Sequence, residues 1–291
     1  MLLSDFLQSE HVSSPFAAVL GHPVAHSRSP GIHNASLAYH GIPVRYHAVS
    51  CPETEFGLLH RLFSCPEFRG ANVTIPLKEK MVGLMDEIDG TAKKIGAINT
   101  VVINPKNRRL KGFNTDAYGF MKPLESYGHI RSAAILGTGG AARAIVHALL
   151  EQDCQMISLV SRKKAQIELA SAHPEKIRLL TYDQLDDAIR KSEMIVNTTP
   201  VGMHPDMENT PVPSSMTPLL KGKICYDIIY NPLESRLIVE ARQHGARTIG
   251  GLDMFLHQAA RSFELWFGKS MPLDLARSMI LSSLKENGAP A

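Results

Sequence analysis

The stretch from Ile135 to Ile145, "ILGTGGAARAI", joins a short apolar run to a segment with helical periodicity. Its residues 137–142 read G-T-G-G-A-A and match the pattern G-x-G-x-x-A. In a strand–turn–helix unit, the first glycine permits a tight turn and the second lets a pyrophosphate approach the backbone. The stretch therefore predicts a dinucleotide-binding turn. For the motif alone, a tight turn that binds nothing is the alternative.

The residues after the next predicted strand discriminate between the two nicotinamide dinucleotides. An NAD site places Asp or Glu about twenty residues beyond the glycines, against the ribose hydroxyls. Here the strand "MISLV" is followed by Ser161 and Arg162, and then by Lys163 and Lys164. A guanidinium binds a 2′-phosphate and stacks on adenine, and no acid is present to repel the phosphate. These residues predict NADP. The alternative is the solvated basic start of a helix.

Apolar runs alternate with helical patterns along almost the whole chain, which predicts an α/β protein. The alternation starts with "FAAVLG" and restarts at Ser132 with the strand before the glycine turn. A chain of 291 residues is long enough for two cores. We therefore predict two domains with a boundary near Asp116, and two helical segments at the end of the chain.

Composition excludes several classes of protein. The net charge of +3 without a basic cluster argues against a nucleic-acid partner. The 4 cysteines form no C-x-x-C pair, so neither a metal site nor a disulfide framework is expected. The first residues lack the basic start of a signal peptide, and no apolar run is long enough to span a bilayer. We expect a soluble, cytoplasmic protein without a membrane partner.

Polar residues occur at the ends of predicted strands ahead of the glycine turn. Ser29, followed by Pro30, is predicted to cap a helix, whereas Ser27 has no evident capping role. Asn72 and Thr74 alternate along a strand and so share one face. Lys78 is predicted in the first turn of the next helix, where the helix dipole disfavours a cation.

Two further polar pairs follow, Asn99 with Thr100 and Asn114 with Asp116. Asp116 has an alternative structural role as the N-cap or first-turn acid of a helix. Because the polar segments lie at successive strand ends, they predict a site for a small, anionic, polyhydroxylated ligand.

An ordered series of motifs resembles those of the shikimate dehydrogenase family, which includes shikimate/quinate dehydrogenases. The series covers nearly the whole chain and consists of H-S-R-S-P, N-V-T-I-P-L-K, G-A-I-N-T, G-F-N-T-D, G-T-G-G-A, N-T-T-P-V-G-M, D-I-I-Y-N-P and M-F-L-H-Q-A. The resemblance implies NADP-dependent, reversible reduction of 3-dehydroshikimate to shikimate in chorismate and aromatic amino-acid biosynthesis. It implies a split N-terminal α/β substrate domain, residues 1–116 and 252–291, closed by the C-terminal helices. Residues 117–251 would form a Rossmann NADP-binding domain.

The resemblance also implies roles for individual residues. Lys78 and Asp116 would be the catalytic pair, with Lys78 acting either as a neutral proton acceptor or as a charged group that polarises the oxygen. The substrate would contact Ser27, Ser29, Asn72, Thr74, Asn99, Asp116, Tyr230 and Gln258. Tyr230 has the alternative role of a strand-end aromatic that caps the core. The cofactor would contact Gly137, Gly139, Gly140, Ala141, Ser161, Arg162, Asn197, Thr198, Thr199, Met203 and Gly251.

Departures from the family pattern leave alternatives open. Ser161-Arg162-Lys163 replaces a common Asn-Arg-Thr, Ser235 replaces a usual threonine, and Phe255 replaces a common leucine. One alternative is a quinate/shikimate dehydrogenase with relaxed use of NAD and NADP. Another is a metabolite sensor without catalysis, against which the presence of both Lys78 and Asp116 argues. A homodimer is one open option for the assembly.

Overall fold

Two six-stranded sheets organise the chain in the computed structural model, which describes residues 1–162 and 168–286. Contacts divide the described chain into a first unit, residues 1–115 and 258–283, and a second unit, residues 116–257 and 284–286. Lys163 and Lys164 of the predicted NADP segment lie outside the described residues. The predicted α/β class is confirmed, since each unit combines its sheet with helices.

The first unit holds a mixed sheet in the order β2-β1-β3-β5-β6-β4. Pairing is parallel between β1 and both of its neighbours, and antiparallel along β3-β5-β6. Strands β5 and β6 form a hairpin, in which Ile103 pairs with Leu110. The strands are β1 (Phe16–Gly21), β2 (Arg45–Ser50), β3 (Phe68–Val73), β4 (Glu87–Ile88), β5 (Thr100–Ile103) and β6 (Leu110–Phe113).

Short helices and aromatic side chains complete the first unit. Phe16 on β1 packs against Phe6 and Phe68, with ring centroids 5.3 and 5.7 Å away. These buried rings lie in a continuous apolar core that stabilises the sheet. The helices are α1 (Leu3–Phe6), α2 (Ser29–Tyr39), α3 (Leu59–Ser64) and α4 (Gly90–Ile95), with 3-10 segments at Glu10–Ser13, Glu53–Leu58 and Lys80–Leu84.

The second unit holds a fully parallel sheet in the order β12-β11-β10-β7-β8-β9. Its central strands are buried apolar runs, as expected where helices cover both faces of a parallel sheet. Numbered within the unit, this order is that of a Rossmann fold. The strands are β7 (Ser132–Leu136), β8 (Met156–Ser161), β9 (Ile177–Thr181), β10 (Met194–Asn197), β11 (Ile224–Asp227) and β12 (Arg247–Ile249).

The strand order of the second unit reverses between β7 and β10, which pair in parallel and leave a crevice at their carboxyl ends. Ligands of open α/β sheets bind at such a switch point. The helices of this unit are α5 (Asp116–Leu124), α6 (Gly140–Glu151), α7 (Glu168–Ala172), α8 (Leu185–Arg190) and α9 (Arg236–Gln243), with 3-10 segments at Tyr182–Gln184 and Thr217–Leu220.

The two predicted C-terminal helices are confirmed as α10 (Leu252–Phe267) and α11 (Leu273–Glu286). By contacts, α10 belongs to the second unit up to His257 and to the first unit from Gln258 onward. In the first unit, Trp266 donates a hydrogen bond from its indole nitrogen to Val101 O at 2.9 Å, which ties α10 to β5. None of the helices in the described ranges has the length and apolar character needed to cross a membrane.

Gly70 on β3 lies directly under this indole. A Cβ atom at Gly70 would be 2.4 Å from Trp266 Nε1 and 2.9 Å from Val101 O, and the residue has φ +151°. We expect Gly70→Ala to lower the free energy of unfolding by about 1–3 kcal/mol, because an added methyl group overpacks the helix–sheet contact. Urea denaturation measures this loss.

Gly31→Ala is the matched control, since a Cβ at Gly31 in α2 meets nothing within 4 Å. Its effect should be neutral or slightly stabilising, because alanine favours helix over glycine. Equal destabilisation by the two substitutions would contradict the role given to the Gly70–Trp266 contact.

Candidate active site

The serine-containing segment lies where β1 ends and α2 begins. Ser29 is the first residue of α2 rather than its cap, and Arg28 occupies the cap position without a side-chain hydrogen bond. The hydroxyl of Ser27 accepts a hydrogen bond from Ser29 N at 3.3 Å. The predicted capping role of Ser29 is therefore wrong, and Ser27 contacts the helix start instead. Ser27 is half-buried and Ser29 is buried, so the pair lies at the amino end of an 11-residue helix.

The segment carrying Asn72, Thr74 and Lys78 differs in detail from its prediction. Strand β3 ends at Val73, so Thr74 lies one residue beyond the strand, and its N–H still donates to Leu20 O at 2.8 Å. Lys78 lies in a turn before the 3-10 segment Lys80–Leu84 and not in the first turn of a helix. The dipole argument for Lys78 therefore does not apply. Its backbone is fixed by a 2.8 Å bond from Ile98 N to Lys78 O.

Asn72 is buried and its amide is surrounded by polar partners of the first unit. Its Oδ1 accepts a 2.7 Å hydrogen bond from the Tyr46 hydroxyl. Its Nδ2 lies 3.3 Å from Asn99 O, 3.3 Å from Thr100 Oγ1 and 3.0 Å from Ser262 Oγ. The amide is thus held in one orientation.

Asn99 is held by the residues next to it on β5 and before α5. Its Oδ1 accepts a 2.8 Å bond from Thr115 N, and its Nδ2 donates to Thr115 Oγ1 at 2.9 Å. The hydroxyl of Thr100 lies 2.9 Å from Asn99 Oδ1 and 2.7 Å from Ser262 Oγ. Asn72 and Asn99 are therefore parts of one buried polar network in the first unit.

An aromatic cluster supports this network. The ring of His33 stacks on Tyr46 at 4.4 Å between centroids, and Phe263 and Trp266 of α10 pack on the other sides. Burial lowers the pKa of His33 to about 3, an effect that the neighbouring Asn72 amide opposes. Burial also raises the pKa of the Tyr46 hydroxyl well above its usual range. The two side chains are therefore uncharged near neutral pH, and Tyr46 remains a hydrogen-bond donor.

The remaining polar positions of the N-terminal half lie just before and at the start of α5. Asn114 donates from Nδ2 to Ala97 O at 2.9 Å, which fixes the loop that follows β6. Asp116 is buried and is the first residue of α5, so its alternative structural role as a first-turn acid is present in the structure.

In the second unit, the glycine turn lies at the predicted place, between β7 and α6. Gly137 has φ +113°, and an added Cβ would be 2.5 Å from Thr198 Oγ1. Gly139 caps the 12-residue helix α6, which begins with Gly140 and Ala141. A Cβ at Gly139 would meet no atom within 4 Å, so this position opens to space at the helix start.

Ser161 and Arg162 lie at the carboxyl end of the neighbouring strand, β8. Ser161 is its last residue and is half-buried, while Arg162 follows and is exposed. The positive charge of Arg162 acts on Tyr182, where it opposes the rise in pKa that burial gives the phenol. Arg162 is therefore positioned near the carboxyl edges of β8 and β9.

The third cofactor segment follows β10 at the switch point. Thr198 donates from N and Oγ1 to Leu136 O, at 3.0 and 2.6 Å, and so joins this segment to β7. Asn197 Oδ1 accepts bonds from Thr199 N at 2.9 Å and Thr199 Oγ1 at 2.7 Å. Asn197 Nδ2 donates to Asp227 Oδ1 at 3.1 Å.

Asp227 is buried at the end of β11 and organises this edge of the sheet. It accepts bonds from Asn197, from Ile229 N at 3.0 Å and from the hydroxyl of Ser235, which caps α9. Burial raises the pKa of its carboxyl to about 6, although these three hydrogen bonds oppose the shift. Ser235, a departure from the family pattern, thus has a defined structural partner.

The four remaining predicted site residues lie outside the segments described above. Tyr230 lies three residues after β11 and stacks on Phe255 at 4.3 Å. Met203 is 45% exposed in the loop after β10. A Cβ at Gly251 would be 2.1 Å from Ile228 O, so that position demands glycine for packing. Gln258 is half-buried in α10, and its carbonyl accepts a 3.0 Å bond from Ser262 Oγ.

The residues of the second unit fit a dinucleotide phosphate. Gly139 leaves room at the amino end of a long helix, where backbone N–H groups and the helix dipole favour an anion. Arg162, exposed at the next strand end, supplies the cation expected for a 2′-phosphate. Both features lie at the carboxyl edge of the parallel sheet.

Sequence patterns do not identify the residues that hold the site residues in place. Four residues outside the predicted site have this role. Asn72 contacts Tyr46 and Ser262, Asn99 contacts Thr115, and Asn197 contacts Asp227. One signal was available, because Ser262 follows Gln258 by four residues and so shares a helix face with it. Tyr46 and Asp227 offered no comparable signal, since their pairing depends on the sheet order.

The fold and these sites define a two-unit α/β protein, one unit of which is a Rossmann nucleotide-binding fold. A sequence model of the shikimate dehydrogenase substrate binding domain matches residues 19–101, and one of the shikimate 5'-dehydrogenase C-terminal domain matches residues 251–278. The shikimate dehydrogenase (NADP(+)) of Symbiobacterium thermophilum is 37% identical to the chain over 278 residues, which is 92% of this chain and 94% of that relative. The chain belongs to the shikimate dehydrogenase family.

Solved structures agree with this assignment. The shikimate 5-dehydrogenase of Thermus thermophilus, in complex with NADP(H) and shikimate, superposes with a TM-score of 0.79 at 33% identity and covers 92% of this chain and 99% of its own. The quinate dehydrogenase of Corynebacterium glutamicum, in complex with NAD, gives a TM-score of 0.82 at 28% identity, with coverage of 92% and 99%. Fold likeness alone therefore does not distinguish shikimate from quinate enzymes.

Asp227 generates a prediction about pH. Its pKa of about 6 in the folded chain lies above the ordinary value of 3.8, so the folded state holds this proton more tightly. The resulting stabilisation is complete below pH 3.8 and is lost as the pH rises through about 6. In Asp227→Asn this titration is absent. The free energy of unfolding of the variant relative to the original chain should therefore rise by on the order of 2–3 kcal/mol over that window.

Chemical denaturation at a series of pH values measures this difference. Asp206→Asn replaces an exposed carboxylate of the same unit and is the control for the substitution itself. A flat difference for Asp227→Asn would show that the buried carboxyl does not titrate in this range.

Proposed function

We propose that the chain catalyses the NADP-dependent, reversible reduction of 3-dehydroshikimate to shikimate, a step of chorismate and aromatic amino-acid biosynthesis. The observation that carries the proposal is the buried network that fixes the amides of Asn72 and Asn99 in the unit matched by the substrate-binding model. Oriented amides of this kind suit a ring with several hydroxyls, because each hydroxyl both donates and accepts.

The two units have separate roles in this proposal. The first unit binds the substrate, with Ser27 and Ser29 on the carboxylate and with Asn72, Thr74, Asn99 and Gln258 on the ring. Asp116 and Tyr230 also contact the substrate. In the second unit, the cofactor lies over the glycine turn of residues 137–141. It contacts Ser161, Arg162, Asn197, Thr198, Thr199, Met203 and Gly251.

The substrate carboxylate has a physical reason to bind at the start of α2. The hydroxyls of Ser27 and Ser29 lie at the amino end of a helix of 11 residues. Unpaired N–H groups at a helix start favour an anion, and hydroxyl donors add directional hydrogen bonds. In this proposal the ring of the same substrate contacts the Asn72 and Asn99 amides of the first unit.

Lys78 is the proposed proton-transfer group. NADPH supplies a hydride to the carbonyl carbon of 3-dehydroshikimate, and in the reverse direction NADP⁺ accepts it. In the reduction, Lys78 donates the proton that the developing C3 oxygen takes up; in the oxidation, Lys78 takes the proton of the C3 hydroxyl. Asp116 accepts a hydrogen bond from the neighbouring hydroxyl and so orients the ring.

Arg162 supports the choice of NADP over NAD. It follows β8 at the position where NAD-binding units carry an acid, and it is exposed for contact with a 2′-phosphate. We further propose a cytoplasmic location, where the substrate of a biosynthetic reductase and NADPH are both present. We also propose that the chain forms a homodimer, which light scattering tests.

Initial rates with shikimate and with quinate, each against NADP⁺ and NAD⁺, test the proposed function. We expect fast turnover with shikimate and NADP⁺ and slow turnover in the other three combinations. Comparable rates with quinate or NAD⁺ would place the chain among quinate/shikimate dehydrogenases. Binding of shikimate without turnover would indicate a sensor.

The variant Arg162→Ala is the control for the cofactor part of this experiment. It should weaken NADP⁺ by about 1.5–3 kcal/mol, the scale of a charged hydrogen bond, and spare NAD⁺. Equal losses for the two cofactors would mean that Arg162 contacts adenine and does not recognise the phosphate.

Lys78→Ala should lower kcat by ~10²-fold or more, the range of a lost general acid–base group, with little change in the KM for shikimate. Steady-state kinetics in the direction of shikimate oxidation measure both constants. Lys80→Ala is the matched control, because Lys80 is exposed and pairs with Glu53 at 2.7 Å. Unchanged kcat in Lys78→Ala would refute the role of Lys78.

A further inference from the structure

We propose that Ser262 is a positioning residue, whose hydroxyl holds the Asn72 amide so that Asn72 presents only an acceptor oxygen to the substrate. The inference rests on the proposed function, in which Asn72 contacts a ring hydroxyl. It adds the direction of that hydrogen bond and names the residue on the C-terminal helix that sets it.

The orientation of the Asn72 amide follows from its neighbours. The backbone carbonyl of Asn99 lies 3.3 Å from Asn72 Nδ2. A carbonyl oxygen can only accept a hydrogen bond, so the amide nitrogen and not the amide oxygen must face it. This orientation leaves Oδ1 on the side of Tyr46, whose hydroxyl donates to it at 2.7 Å.

The hydrogen-bond capacity of the amide is then nearly used up within the protein. Its nitrogen carries two hydrogens and has Asn99 O, Thr100 Oγ1 and Ser262 Oγ as acceptors. Its oxygen has two lone pairs, one of which takes the Tyr46 proton. The second lone pair of Oδ1 is what Asn72 can offer, so Asn72 accepts a hydrogen bond from a substrate hydroxyl and does not donate one.

Ser262 provides the shortest of the acceptors on the nitrogen side, at 3.0 Å. Its own proton goes to Gln258 O, one helical turn earlier, at 3.0 Å. This leaves the lone pairs of the hydroxyl as acceptors, one of them for Asn72, and Thr100 Oγ1 also lies 2.7 Å away. Ser262 is fully buried, so no water replaces its hydroxyl directly. Its removal therefore loosens the Asn72 amide and disturbs the Thr100–Asn99 contact.

Ser262→Ala tests the proposal, and Ser36→Ala is its matched control. Ser36 is equally buried, lies on a helix of the same unit and donates to the carbonyl four residues earlier, Ile32 O, at 2.7 Å. Both variants lose the bond to the preceding helical turn, and Ser262→Ala also loses the contacts with Asn72 and Thr100, so it should lose more stability than Ser36→Ala. We expect Ser262→Ala to raise the KM for shikimate by roughly 3- to 10-fold, the equivalent of one hydrogen bond. The KM for NADP⁺ should change less than twofold, and Ser36→Ala should leave both constants unchanged.

A double variant separates the positioning role of Ser262 from general damage to the fold. In Asn72→Ala the amide is absent, so adding Ser262→Ala should raise the KM for shikimate by less than twofold more. Ser262→Cys keeps the side-chain volume with a weak acceptor, and should reproduce the effect of Ser262→Ala if the alanine variant folds poorly.

The proposal is overturned if Ser262→Ala matches Ser36→Ala in the KM for shikimate, or if it raises the KM for NADP⁺ equally. It is also overturned if the effects of Ser262→Ala and Asn72→Ala are fully additive. The original chain is assayed first. Failure of that chain to oxidise shikimate would count against the proposed function itself, and would be distinct from any result with Ser262.

Discussion

Buried amides must find hydrogen-bond partners inside the protein, and this constraint shapes both units. An unpaired buried polar group costs about as much as a lost hydrogen bond or more. In the first unit, the Asn72 amide has hydrogen-bond partners in Tyr46 and Ser262, and the Asn99 amide has one in Thr115. In the second unit, the Asn197 amide has its partners in Asp227 and Thr199. The same bonds that satisfy these groups also fix the orientation of their amides.

The glycine turn shows how closely sequence can predict a local structure. Its pattern depends on contacts within one strand–turn–helix unit, and the turn lies between β7 and α6 as predicted. The strand order, in contrast, depends on pairings between distant segments. The sequence predicted a Rossmann domain through resemblance, whereas the adjacency of Thr198 to β7 emerged only from the sheet.

Predictions for the N-terminal half differ from the structure where a helix or strand begins or ends. Strand β3 ends at Val73, one residue before Thr74, although Thr74 N–H still donates to Leu20 O, and Pro76 supplies no N–H with which the strand could continue. Lys78 consequently lies in a turn, where helix-dipole reasoning has no force. Serine before proline usually predicts a helix cap at Ser29, yet here Ser27 contacts the first helical N–H. Each difference is a shift of one or two residues that side-chain periodicity does not resolve.

The bond between Asn72 and Ser262 joins residues 190 positions apart. During synthesis the residues of the second unit, apart from its last few, leave the ribosome before Ser262 does. The sheet of the Rossmann fold is therefore complete while Asn72 still lacks its partner. Because Ser262 and Trp266 follow the sheet of the second unit along the chain, the nascent first unit exposes an unfinished polar site until α10 has been synthesised. The substrate half of the protein is therefore completed by α10, the helix that brings Ser262 to Asn72.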